Sequence, residues 1–352
     1  HVDVMYISHF DYDHVSGITN LVKQVQIDRF VIPMLPVSQR LFCLASSLFP
    51  SIYHYGDGNP PNDDENVGDI DEWYWGFIAN PATALREAAG NAAEVQQIEP
   101  TAGMTEERGP YLNDPEREFV LSNLDISSGY VPYASDLELQ AVTNRRGVLK
   151  VVNDTGAPVW EFKTCILKDA QNQATFFVQE LKRMNLINDE SDLENVDILK
   201  KLVMNHHNSG LKAAYKKAVA QIGVSHTLNI TSLMLYSGTV LGQRIRCYRS
   251  KAAPPDRPEI RAWPDVAGWI GYGDVSLRAK KRLNEVIDAF EKYRKRTYII
   301  APPHHGSPRD WSPRLLEGFG SNGTSVPTCV FGADGSYNHP GHRVLLDVNS
   351  SG

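Results

Sequence analysis

Three observations predict an α/β fold. The chain opens on an apolar, β-branched run that leads straight into a polar cluster. Residues 1–35 then read as strand, loop, short helix and strand, and strand–helix–strand alternation returns over the last third. Composition agrees: 352 residues, 42% hydrophobic and 22% charged, with 26 Gly and 21 Pro, describe a globular chain. Disordered, collagenous and coiled-coil classes are excluded. The length suits one large domain or two moderate ones, enough to bury a sizeable core.

Taken in order, His1–Ile7 reads as a buried strand already under way, so an earlier segment carrying the first strands of its sheet is expected. Arg29–Pro33 is the next strand. From residue 36 to about 200 the pattern loosens. Asp57–Glu72 holds seven acidic residues, no Lys or Arg and an Asn-Pro-Pro, the marks of a solvated loop. Residues 100–118 form a second polar stretch. Apolar periodicity predicts helices at Pro81–Val95 and Ala174–Asn185 and a strand at Val159–Leu167. Asn229–Tyr236 reads as a strand, followed by a Pro- and Arg-rich loop at 242–264 and the approach Gly268–Asp274. A helix over Ser276–Arg296, a strand at Thr297–Ala301, a short helix near 312–318 and a strand at Val326–Gly332 complete the chain. No repeat or low-complexity segment interrupts it.

Several function classes drop out at this level. No apolar run approaches the ~20 residues that span a bilayer, so no membrane segment is expected. Cys43, Cys165, Cys247 and Cys329 are far apart and form no CxxC pair, which predicts reduced core thiols in a cytoplasmic protein. With 35 basic and 42 acidic residues the net charge is −7, so bulk electrostatics do not advertise nucleic-acid binding. No phosphate-binding Gly-rich loop, dinucleotide fingerprint or Ser-His-Asp elbow is present.

Chemistry concentrates after the first strand, in Ser8-His9-Phe-Asp11-Tyr-Asp13-His14. Imidazoles and carboxylates at this density bind divalent zinc, manganese or iron. In an extended turn residues i and i+2 point the same way, so His9 and Asp11 can share one ion. Asp13 and His14 come off the next bend and can serve a second. The plainer alternative is a polar loop with Asp13 or Ser16 capping a helix.

This run resembles the HxHxDH signature of the metallo-β-lactamase superfamily, with Asp11 replacing the second His. The substitution makes the first metal position richer in oxygen, which favours manganese over zinc. Asn229-x-x-Ser232-Leu, Gly273-Asp274, Pro303-His304-His305-Gly306-Ser307 and Asn338-His339-Pro340 follow the order of the DNA-uptake competence branch, of which phosphorylcholine esterases look like relatives. The resemblance implies a metallo-β-lactamase αββα sandwich, with 1–35 and 225–352 as core and 36–224 as an insertion. It implies two divalent ions (zinc or manganese) and makes Asp274 the carboxylate that bridges them. His305 is expected as a ligand with His304 its neighbour, the swapped assignment remaining open. Asn229 ranks first for the missing third His, against His226, His206 and His207. Asp13, His304 and His339 are the catalytic candidates; His339 and His342 read equally well as loop histidines. Ser307 is a hydrogen-bond donor to phosphate or to the His pair, not a nucleophile.

The branch implies a phosphodiester substrate, hence a metal-dependent phosphodiesterase or nuclease acting on single-stranded or duplex nucleic acid. Residues 276–296 carry a local charge of +5, and Arg244, Arg246, Arg249 and Lys251 add to it. A solvated helix face is the competing explanation. Three other functions stay open: hydrolysis of a small ester or choline phosphodiester, a metal-dependent protease or effector subunit with protein partners in a larger assembly, and a non-catalytic binding module.

Overall fold

The computed structural model describes residues 1–49, 70–98, 119–121, 148–152, 158–167, 171–220, 232–239, 268–294, 296–319, 327–332 and 340–351. The chain is mixed α/β, as its alternating pattern predicts, and divides by packing into two units: His1–Pro100 with Ile166–Leu233, and Thr101–Cys165 with Met234–Gly352. Segments 1–35 and 225–352 are those expected to supply the core. The first lies in the first unit, and most of the second in the other.

In the first unit, β1 (Val2–Tyr6), β2 (Ile27–Pro33) and β3 (Glu94–Ile98) form a parallel sheet in the order β1-β2-β3. The central strand β2 is buried at nearly every position, the sequence habit of a parallel strand covered on both faces. Parallel neighbours need crossovers. Helices α1 (Tyr12–Val15) and α2 (Ile18–Leu21) make the first, and α3 (Val37–Leu48), α4 (Glu72–Ala79) and α5 (Pro81–Ala88) lie along the second. Helices α6 (Gln171–Arg183), α7 (Val196–His206) and α8 (Lys212–Ala220) complete the unit. Phe42 of α3 packs its ring 5.5 Å from Phe177 of α6 and 5.2 Å from Tyr215 of α8, so one aromatic cluster joins three helices distant in sequence.

In the second unit, a seven-stranded sheet runs β10-β9-β8-β7-β6-β5-β4, built from β4 (Phe119–Leu121), β5 (Val148–Val152), β6 (Pro158–Cys165), β7 (Met234–Thr239), β8 (Gly268–Gly271), β9 (Thr297–Ala301) and β10 (Thr328–Cys329). Strands β8, β9 and β10 are mutually parallel; β7 runs antiparallel to β8 and to β6. Helices α9 (Lys280–Ala289), α10 (Glu291–Arg294), α11 (Arg314–Phe319) and α12 (His342–Ser351) belong to this unit.

Several element limits differ from expectation, each for a visible reason. The helix from Pro81 stops at Ala88 because Gly90 (φ 72°) and Asn91 (φ 64°) turn left-handed, and Asn91 N donates to Arg86 O at 2.7 Å. Glu94 and Val95, expected to be helical, therefore begin β3. The helix expected from Ser276 starts at Lys280 with Ala279 as its N-cap; in the segment before it, Leu277 N donates to Asp310 O at 2.9 Å. It breaks again at Phe290, ahead of α10. Glu72 is helical rather than loop, while 57–69, 100–118, 242–264 and Cys247 lie outside the described residues. Cys43, Cys165 and Cys329 form no disulfide among the described residues.

A buried ion pair ties the middle of the larger sheet. Arg296 Nη1 donates to Glu161 Oε1 at 2.6 Å and to Thr239 O at 2.7 Å, while its guanidinium lies over the rings of Tyr236 and Tyr293 at 5.6 and 5.0 Å. Gly268 is required beside it: a Cβ there would fall 2.1 Å from Arg296 O. Removing one member of such a pair strands a buried charge. Glu161→Ala is expected to destabilise by about 3–5 kcal/mol, and Glu161→Gln by less because it keeps an acceptor. Denaturant midpoints at unchanged slope check this.

Candidate metal-binding groups

The first group is the turn after β1. Tyr6 pairs with Val31, and Ile7 N extends the ladder to Val31 O at 3.0 Å before the chain leaves the sheet. The residues between the ligand types anchor the turn. Phe10 is fully buried with its ring 4.8 Å from Phe77, and its carbonyl accepts from Tyr74 Oη at 2.7 Å. Tyr12 N donates to Ser47 Oγ at 3.0 Å. His9 is buried to 1% exposure, with Nδ1 2.9 Å from Ser8 Oγ and 3.4 Å from Ser232 Oγ. Leu233 N donates to Ser8 O at 2.5 Å, so two separate sequence motifs meet here within one unit. His14 brings its ring centroid within 3.8 Å of that of His9. Asp11 occupies the N-cap position of α1 without a side-chain capping bond, and Ser16 is the C-cap. The helix-cap explanation through Asp13 or Ser16 is thereby set aside. Asp13 lies in α1, its side chain outside the described residues.

The second group is in the second unit, at the carboxyl ends of β8 and β9. These strands pair in register at Gly271 and Ala301, and Asp274 and His304 each follow three residues later. His304 N donates to Gly273 O at 2.9 Å, joining the two strand ends. Asp274 is 5% exposed, and its Oδ2 lies 3.8 Å from His304 Nε2. Asp274 does not cap α9, whose N-cap is Ala279. His304 Nδ1 lies 2.8 Å from Asp310 Oδ2. His305, the residue expected as ligand, is exposed, with its ring centroid 6.3 Å from that of His304. It is therefore His304 that the fold brings to Asp274.

Backbone strain marks this loop. His304 (φ 47°) and His305 (φ 53°) are both left-handed, each at about 1–2 kcal/mol for a residue with a Cβ. The hydrogen bonds of His304 N to Gly273 O and of Ser307 N to His304 O hold the conformation. Gly306 (φ 87°) follows; a Cβ there would lie 2.8 Å from the Phe331 ring and 2.9 Å from Pro340 Cβ. Nearby, Tyr272 is fully buried and its phenol is held well above its ordinary range by burial, with Cys329 adding to the rise. Burial pushes the Cys329 thiol up to about 11. It is thus no thiolate nucleophile at neutral pH.

No family model, curated protein or solved structure matches this chain. Asn229, His226 and His339 lie outside the described residues, as does the side chain of His207. Strand β7, which begins five residues after Asn229, pairs antiparallel with β8, Leu235 standing opposite Gly271. His206 is half-buried at the end of α7, and His342 is exposed at the start of α12. Of the eight basic residues of 276–296, Arg282 and Arg296 are buried, and Lys281 faces Glu285 at 3.7 Å. Among the described residues no helix is long and apolar enough to cross a membrane.

The donor chemistry fits divalent cations. His9 and His304 each have a partner at Nδ1, a serine hydroxyl for His9 and a carboxylate for His304; a carboxylate there is a usual support of a ligating Nε2. Asp310 was not singled out from sequence; its signal, a carboxylate six residues beyond His304, has no fixed spacing rule.

Gly306→Ala should lower stability by about 2 kcal/mol or more, adding left-handed strain to overpacking against Phe331 and Pro340. Gly17→Ala, where a Cβ meets nothing within 4 Å, should be close to neutral. Thermal and denaturant unfolding of both variants checks the contrast.

Proposed function

We propose that the chain is a metal-dependent hydrolase of phosphodiesters, with the metallo-β-lactamase αββα sandwich that its motifs resemble. The observation that carries this reading is the buried Asp274 carboxylate facing His304 Nε2 at 3.8 Å. That distance is too long for a hydrogen bond. Bond lengths of about 2.0–2.2 Å from one ion to nitrogen and oxygen span it. Divalent ions would supply charge neutralisation at the attacked phosphorus and a lowered pKa for water. Asp274 and His304 would hold an ion from the second unit, and His9, Asp11, Asp13 and His14 are the ligands proposed from the first. Ser8 and Ser232 would orient the His9 ring through Nδ1.

Nucleic acid is the substrate favoured by the motif resemblance. A small phosphodiester gains weight from one observation: the buried positions of Arg282 and Arg296 remove two cations from the 276–296 segment that would track a strand.

Elemental analysis of protein purified without chelator, with manganese and zinc supplied, should return two divalent ions per chain. Metal-free protein under those conditions would refute the proposal. Asp274→Ala should abolish phosphodiester hydrolysis and leave the far-ultraviolet spectrum unchanged, since Asp274 caps no helix; full activity in the folded variant would place the chemistry elsewhere.

Substrate size is read from salt dependence. Lys280 and Lys281 are exposed at the start of α9. If they contact phosphates, changing both to Gln should flatten the slope of log K against log salt by about two units. Cleavage of a small chromogenic phosphodiester should stay unchanged. An unaltered slope would leave α9 as a solvated face and select the small substrate.

A further inference from the structure

The loop after β9 carries a second buried carboxylate, Asp310, which is 2% exposed and six residues beyond His304. Its Oδ2 lies 2.8 Å from His304 Nδ1. An ionised carboxylate can only accept a hydrogen bond, so this contact requires the proton on Nδ1. The opposite nitrogen, Nε2, then faces Asp274 Oδ2 at 3.8 Å. Asp310 itself is held by backbone: its N–H donates to Ser307 O at 3.1 Å and its carbonyl accepts from Leu277 N at 2.9 Å. His304 is held in turn through its own N–H to Gly273 O at 2.9 Å. The loops after β8 and β9 are thus stitched at both Gly273 and Leu277. With the left-handed backbone of His304 fixed, rotation of its side chain is the freedom left, and Asp310 removes it.

We propose that Asp310 is a positioning residue: it grips the His304 ring at Nδ1 and aims Nε2 at the space beside Asp274. The inference rests on the reading of Asp274 and His304 as metal ligands for what that space receives, whereas the ring's protonated edge is a property of the metal-free chain. A carboxylate behind a ligating imidazole fixes its orientation and raises its basicity, and loss of such a partner typically weakens metal binding by about 10–100-fold.

The test uses the full chain, labelled with 15N at histidine and stripped of metal by chelator. Long-range proton–nitrogen spectra report which ring nitrogen carries the proton, and His304→Gln assigns the His304 signals. Wild type is expected to show a protonated Nδ1, and Asp310→Ala to lose that preference in favour of Nε2. Asp310→Asn, of nearly the same volume, is the second variant; its neutral amide gives a weaker bond and the same direction of shift. An unprotonated Nδ1 in wild type overturns the proposal, whether or not either variant folds. So does an unchanged His304 signal in a folded variant. Zinc titration then follows the second consequence, with binding expected to be about 10–100-fold weaker in the Asp310 variants. Equal zinc affinity in wild type and Asp310→Ala overturns the positioning role and leaves the metal reading standing. A wild type that takes up no zinc or manganese overturns the metal reading, and the Nδ1 result still decides the role of Asp310.

Discussion

Parallel pairing sets the carboxyl ends of β8 and β9 level with each other, Gly271 beside Ala301, and the chemistry of the second unit depends on that register. Side chains three residues past two level strand ends must share a small volume, and Asp274 and His304 do. A one-residue slip would turn every strand side chain to the other face. The bond from His304 N to Gly273 O guards against it at the point where the ladder ends. Open α/β sheets place their ligands beyond the carboxyl ends of parallel strands for the same reason: the loops there are free of ladder obligations yet rooted in rigid elements.

The same sheet pulls charge inward. Arg296 stands at the head of β9, where its guanidinium meets Glu161 from β6 and the carbonyl of Thr239 from β7. Three strands are cross-linked by one side chain, and two tyrosine rings cover it. Such a group contributes little net energy beyond a well-packed apolar substitute. Its effect on the exterior is larger. The positive run counted along 276–296 shrinks at the surface, because Arg282 and Arg296 face the interior. A charge sum along a helix overstates the field that a strand of nucleic acid would meet.

In the first unit, the turn after β1 depends on what lies between its polar residues. Phe10 and Tyr12 are gripped by α4 and α3, through Tyr74, Phe77 and Ser47, and the neighbouring His9 is set against Ser8 and Ser232. The aromatic cluster of Phe42, Phe177 and Tyr215 ties α3 in turn to α6 and α8. Much of the region between the first strands and the late motifs thus acts as the scaffold of a candidate site, which a reading by motif alone treats as insertion.

What the sequence determined by itself is what local forces decide. The strand Thr297–Ala301 has its expected limits, and the strands and helices around 1–35 and 171–183 fall close to theirs, because short apolar runs and 3.6-residue periodicity act within a few residues. The end of the helix at Ala88 was also local, written in Gly90-Asn91, though apolar periodicity hid it. Tertiary structure decided the rest. Leu277, expected to be helical, lies ahead of α9 and bonds Asp310 across a long stretch of chain. Which of two adjacent histidines reaches Asp274 cannot be read from their shared chemistry. His304 takes that place because its backbone bonds Gly273 and its ring bonds Asp310, and both partners come from outside its own neighbourhood of two residues.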